Sequence, residues 1–223
     1  MIGFLAGWPG MNLQKSRRLY TRTERAADTV IHVAGVLFAI NGGLWLLSHV
    51  TGLGVVASVS VYCAGLFAML AASAAYNLWP HGNARDWLRR FDHAAIFIMI
   101  AATYTPFAVN RLQQPAAGTI LGLIWFAATL GVILKMVFPR RFELASLGLY
   151  LGMGWLIVTV IRPLSAAMAA ADFRLLIAGG IVYSAGVVFY VAEKVPYHKA
   201  IWHGFVLVAV VLHFAAIASE FAI

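Results

Sequence analysis

The sequence predicts an all-α fold: a bundle of seven transmembrane helices with its N-terminus in the cytoplasm and its C-terminus outside. Three observations carry this expectation. Hydrophobic residues make up 62% of the 223 residues and charged residues only 11%, whereas a soluble domain is about a quarter charged. The apolar residues gather into seven runs, roughly 29–50, 53–78, 92–110, 116–137, 144–165, 173–192 and 200–222. Each is close to the ~20 residues that a helix needs to cross the hydrocarbon. The basic residues alternate between the connections, heavily on one side and sparsely on the other.

The runs are helices because a backbone in hydrocarbon must satisfy its polar groups within itself. The charges then orient them in order. Lys15, Arg17, Arg18, Arg22 and Arg25 precede the first run, and Arg85, Arg89 and Arg90 lie between the second and third. Lys135, Arg140 and Arg141 lie between the fourth and fifth, and Lys194 and Lys199 between the sixth and seventh. These thirteen face Arg111, Arg162 and Arg174 on the other side. Basic loops stay in the cytoplasm, which places residues 1–27 there as a basic segment and residues 28–223 as one seven-helix domain. A multi-pass protein of the cell membrane, in a bacterium the inner membrane, is the expected location.

Several classes fall away. The single cysteine, Cys63, excludes an internal disulfide and a thiolate metal cluster within one chain. A net charge of +8 would suggest nucleic acid in a soluble protein. Here the basic residues sit in short clusters beside apolar runs, so they read as topology signals and contacts to anionic lipid. In the first 15 residues the apolar stretch precedes the basic cluster, the reverse of a signal peptide. Membrane lipids, including a lipid substrate or ligand, are the expected partners; oligomeric state is not encoded legibly.

Ionisable side chains near a membrane core are costly and face the bundle interior. Four runs bring them to one level on the basic side. Ser73, Asn77 and His81 recur every four residues at the end of the second run, on one face if the helix passes Pro80. Asp92 and His93 open the third run, and Asp28 and His32 open the first. His198, Lys199 and His203 open the seventh, with His213 ten residues beyond His203. Each has a plain reading too. Ser73 can be an interhelical packing residue, Asn77 a helix end and His81 a solvated loop residue. Asp92 can cap a helix, Lys199 can snorkel, and His213 can be a hydrogen-bonded bundle residue.

The neighbours of these residues resemble the hemolysin III family. The resemblance lies in Glu24-Arg25-Ala26-Ala27-Asp28 with Ile31-His32 and Gly35, and in Ser73-Ala74-Ala75-Tyr76-Asn77. It is most specific in Phe91-Asp92-His93-Ala94-Ala95-Ile96 running into Ala102-Thr103-Tyr104-Thr105-Pro106-Phe107. Ala200-Ile201-Trp202-His203 through to His213-Phe214 follows. The family is the bacterial branch of the progestin and adipoQ receptor group, within a wider superfamily of membrane hydrolases. The resemblance implies seven helices and a zinc ion near the cytoplasmic face. Relatives hold zinc with the histidine of a Ser-x-x-x-His motif on the second helix and both histidines of a His-x-x-x-His motif on the seventh, with an aspartate nearby.

This sequence keeps Ser73, Asp92 and His203 in those motif positions, the first two being candidate catalytic residues. It replaces the other two ligands with Asn77 and Lys199. An amide is a poor zinc ligand, and a protonated lysine offers no lone pair and repels the metal. Zinc remains a candidate cofactor only if the site is rebuilt, with His81 and His198 joining His203. Otherwise Lys199 replaces the metal's charge and pairs with Asp92. The first functional expectation is therefore a hemolysin III-like membrane protein with a degenerate zinc site, acting in lipid or membrane homeostasis sensing. The alternatives are a zinc-dependent membrane lipid amide or ester hydrolase using the shifted histidines, and a cytolytic or pore-forming protein. Against the last, no run carries a regular polar stripe. A seven-helix retinal protein would need its lysine near mid-membrane, and Lys199 opens a run.

The topology is directly testable. Reporter fusions after residues 85 and 140 should read cytoplasmic, and fusions after 112 and 168 should read outside; the inverse pattern would overturn the orientation.

Overall fold

A computed structural model describes residues 20–80, 82, 84–138 and 141–223. Among them lie seven helical spans long and apolar enough to cross a membrane. The elements are α1 (Arg22–Ser48), α2 (Leu53–Leu78), α3 (Ala84–Arg111), α4 (Ala116–Val137), α5 (Glu143–Trp155), a 3-10 segment (Leu156–Val160), α6 (Ile161–Ala167), α7 (Ala170–Val191) and α8 (His198–Phe221). The 3-10 segment joins α5 and α6 into the fifth span, so α7 and α8 are the sixth and seventh. No strand occurs among the described residues. Consecutive helices pack in turn from α1 to α4, α5 packs on α3 and α7, and α8 closes the ring against α7 and α1.

Two helices begin earlier than hydropathy suggests. Thr21 caps α1 in a capping box: its hydroxyl receives the Glu24 amide N–H, and the Glu24 carboxylate receives the Thr21 amide N–H. This satisfies orphan donors at the helix start and starts α1 ahead of the apolar run. The basic segment expected over 1–27 is thus helical from Arg22, while residues 1–19 lie outside the described residues. Likewise α3 starts at Ala84, with Asp86 in its first turn. Asp92 therefore lies two turns inside the helix and does not cap it. Helix α2 stops at Leu78 with Trp79 as its C-cap, so the Ser73–Asn77 face does not continue to residue 81.

The fifth span reads as one apolar run but is broken. Residues 156–160 tighten into the 3-10 segment, ahead of Pro163, which lacks the N–H that would bond back one turn. Tyr104 holds the break. Its hydroxyl lies 2.9 and 2.8 Å from the carbonyls of Met153 and Gly154 and accepts the Ile157 N–H at 2.8 Å.

Close helix approaches depend on glycine, as in many membrane bundles, where packing rather than water exclusion joins helices. A Cβ on Gly65 of α2 would stand 2.7 Å from the Ala102 side chain of α3, and one on Gly131 of α4 would collide with the Phe97 ring. Phe97 is fully buried. Gly131→Ala should therefore destabilise the protein by about 1–3 kcal/mol, the usual cost of overpacking. Gly122→Ala, where a Cβ meets nothing within 4 Å, should be neutral or slightly stabilising. Thermal melts of the two variants in one detergent check the contrast.

Candidate metal centre

One end of the bundle gathers the polar residues, and its centre is the seam between α1 and α8. Asp28 and His32 are one turn apart on α1 and share a face. His203 meets them from the second turn of α8. His203 donates from Nδ1 to Asp28 Oδ1 at 2.6 Å, and His32 Nε2 lies 3.7 Å from Asp28 Oδ2. The two imidazoles lie against each other, with centroids 4.4 Å apart. Donor atoms of all three residues fall within 4.8 Å of one another, close enough to hold a metal ion. The three side chains are 16%, 4% and 13% exposed, in chain order.

The donor chemistry fits a cation. His32 Nε2 is buried and makes no hydrogen bond, although it faces a carboxylate. A buried polar atom left so costs free energy, and an ion at Asp28 would remove the deficit. Two imidazoles and a carboxylate form a set that suits zinc.

A second layer fastens the same seam. The Glu24 carboxylate, buried at the start of α1, accepts the Tyr197 amide N–H at 2.8 Å, just before α8 begins. Tyr197 sits in the left-handed region at φ 59°, and its hydroxyl reaches Thr23 Oγ1 at 3.1 Å. His198 is turned away from His203. Its Nδ1 lies 3.3 Å from the Phe189 carbonyl, which can only accept, so Nε2 accepts from the Tyr20 hydroxyl at 2.7 Å. Lys199 Nζ lies over the Tyr20 ring, 4.8 Å from its centroid.

The two positions at which the family resemblance expects zinc ligands, 77 and 199, are engaged otherwise. The Asn77 amide donates to the Ser73 carbonyl at 3.0 Å and approaches Ser73 Oγ at 3.5 Å. The expected Lys199–Asp92 ion pair is absent: no salt bridge joins them among the described residues, and the ammonium uses an aromatic face instead. That face is adjacent because the capping box holds the chain at Tyr20 over the start of α8. His81 lies outside the described residues. His93 is half-buried, and its carbonyl accepts from the Tyr150 hydroxyl at 2.9 Å. His213 lies deep in α8 and donates from Nε2 to the Leu176 carbonyl at 3.1 Å.

Comparison with known proteins agrees with this architecture. Residues 20–214 match the haemolysin-III related family. The chain belongs to that family. It is 36% identical over 192 residues to the hemolysin-3 homolog of Bacillus subtilis, covering 85% of this chain and 90% of that protein. Hemolysin-3 of Bacillus cereus is 38% identical over 187 residues, covering 82% and 85%. The human monocyte to macrophage differentiation factor is 28% identical over 200 residues, covering 87% and 83%, which ties this hemolysin III chain to the progestin and adipoQ receptor group.

Sequence reasoning set Asp28 and His32 at the right depth but gave them no role, and it missed the Glu24–Tyr197 tie. The Thr21-x-x-Glu24 capping pattern was the available signal for the start of α1. With Lys199 and Asp92 making no direct contact, the stability losses of Lys199→Met and Asp92→Asn should add in the double variant within about 0.5 kcal/mol. Thermal or chemical melts of the three variants test this, and a larger coupling would mean that the two residues interact.

Proposed function

We propose that this hemolysin III protein binds one zinc ion through Asp28, His32 and His203, and that the ion ties the first helix to the last. The observation that carries the reading is the buried, unbonded His32 Nε2 facing Asp28 beside His203. The family's own ligand positions support relocation rather than retention, since Asn77 and Lys199 are occupied elsewhere. The role that fits is a regulatory one in lipid or membrane homeostasis, in a bacterial inner membrane: a cation-dependent setting of the α1–α8 seam.

Bound zinc would supply positive charge and, at an open fourth position, Lewis acidity. A hydrolytic centre needs that position open to water and substrate. Here all three donors are buried or nearly so, which favours the tie over lipid hydrolysis. What the chain itself contributes is orientation: Asp28 fixes the His203 ring through Nδ1, as carboxylates do for metal-binding imidazoles.

The test is metal content. Protein dialysed against zinc and then against metal-free buffer should keep about one zinc per chain at pH 7.5. His32→Ala should abolish this, while His198→Ala should leave it intact. Retention should weaken toward about pH 5.5, because imidazole must shed its proton to bind metal. A zinc-free wild type, or zinc that survives loss of His32, would overturn the proposal. Release of fatty acid from lipid amides or esters that depends on zinc would replace the tie with the hydrolase.

A further inference from the structure

The seam that carries the metal donors is closed toward the helix starts by a further layer of contacts. Glu24 lies one turn before Asp28 on α1, and Lys199 one turn before His203 on α8, so this layer continues the faces that carry the donors. Glu24 and His198 both stand in the first turn of a helix, where side chains ordinarily meet water. They are nevertheless only 2% and 6% exposed. The chain just ahead of the two helices covers them. The Tyr197 amide N–H donates to the Glu24 carboxylate at 2.8 Å, and the Tyr20 hydroxyl donates to His198 Nε2 at 2.7 Å. The Tyr20 ring also lies against Lys199, with Nζ 4.8 Å from its centroid. Tyr197 is itself 40% exposed, so water begins immediately outside this layer.

A hydrated cation cannot pass a seam closed in this way. Asp28, His32 and His203 are buried or nearly so, and an ion reaches them only if something opens. Tyr20 is the part built to do so. It precedes the Thr21 capping box, so its side chain can swing out while α1 keeps its cap and its register. Its contacts are a hydrogen bond and a cation–π contact at the edge of water. Both are weak on balance, because water replaces what each one loses. Local opening of this size is the kind that loops and helix ends undergo without global unfolding.

We propose that Tyr20 is a latch over the metal centre: its contacts with His198 and Lys199 close the way between the ion and the water at this end of the bundle, and their opening sets how fast the ion enters and leaves. The latch rests on the metal reading above for its ligand, whereas the closure of the seam stands on the chain alone. Tyr20 is not one of the three donors. Its loss therefore changes entry and exit by the same factor and leaves the affinity as it was.

Two measurements on the full chain in detergent test this. In the first, zinc-loaded protein is mixed with an excess of a coloured chelator and release is followed by stopped flow. Tyr20→Ala should release zinc about tenfold faster than the wild type, as loss of both contacts implies. Tyr20→Phe, which keeps the ring beside Lys199, should release it about threefold faster. Zinc affinity at equilibrium should be unchanged in both. Gly131→Ala, which disturbs the contact of α4 with Phe97 instead, should release zinc at the wild-type rate. The second measurement needs no metal. Diethyl pyrocarbonate should modify His203 faster in Tyr20→Ala than in the wild type, read residue by residue by mass spectrometry, while the deep His213 reacts slowly in both. Should Tyr20→Ala fail to fold, Tyr20→Phe carries both measurements. A wild type that holds no zinc overturns the metal reading, and His203 reactivity then decides the latch by itself. In a protein that does hold zinc, release from the Tyr20 variants at the wild-type rate overturns the latch and assigns entry to the bundle interior. Unchanged His203 reactivity, or faster release matched by an equal loss of affinity, overturns it as well.

Discussion

The Asp28 carboxylate joins the two ends of the chain. It sits between His32 one turn along the same helix and His203 on the last helix, so the bundle closes through a polar contact as well as the apolar one of Phe38 on Phe214. In lipid this matters more than in water. Helices gain nothing from hiding apolar surface when the solvent is itself apolar, and association falls to close packing and to polar groups that have no other partner. The α1–α8 seam uses both, Phe38 packing on Phe214 alongside a row of polar contacts. Glu24 on Tyr197, Tyr20 on His198 and Asp28 on His203 lie along it in chain order, and each satisfies a group that would otherwise be stranded.

Elsewhere the bundle uses the first kind. Gly65 against Ala102, Gly131 against Phe97 and Gly186 against Phe205 let backbones approach where side chains would keep them apart. The two halves of the problem are separated in space. Most of the polar contacts sit at one end of the bundle. At the other, Arg111 pairs with the buried Glu220 and lies over Phe221, tying α3 to α8. Between them, the Tyr104 hydroxyl serves the broken fifth span. That break frees backbone groups inside the membrane, and irregular backbone is tolerated there only when protein groups satisfy it. Tyr104 belongs to the stretch that most resembles the family, which gives that resemblance a physical content: the tyrosine is a backbone partner for another helix.

Hydropathy made the fold legible because it acts per residue and in order along the chain. The seven runs needed no knowledge of who touches whom. The site was less legible for the same reason. Asp28 and His203 are 175 residues apart, and nothing in either local pattern says that they meet. Asn77 and Lys199 could be recognised as replacements because a motif supplies its own register. Where their side chains then turn was not readable. Lys199 lies over Tyr20 because the Thr21–Glu24 capping box places that residue at the start of α8, a consequence of three elements at once. The break at 156–160 escaped notice because hydropathy is blind to a change from one helical hydrogen-bond pattern to another.

The two replacements in the family motif bear on the α1–α8 seam. A histidine at 199 would share a helical face with His203 and draw it toward an ion held with the second helix. A lysine there withdraws a ligand, and its ammonium lies over the Tyr20 ring instead. With Asn77 satisfied inside its own helix, nothing in α2 competes for His203. Its Nδ1 is then free to serve Asp28, and that carboxylate brings His32 with it. Asp28 and His32 lie in the stretch that resembles the family, so the two replacements add no donor on α1; they leave His203 to the partner it has across the α1–α8 seam.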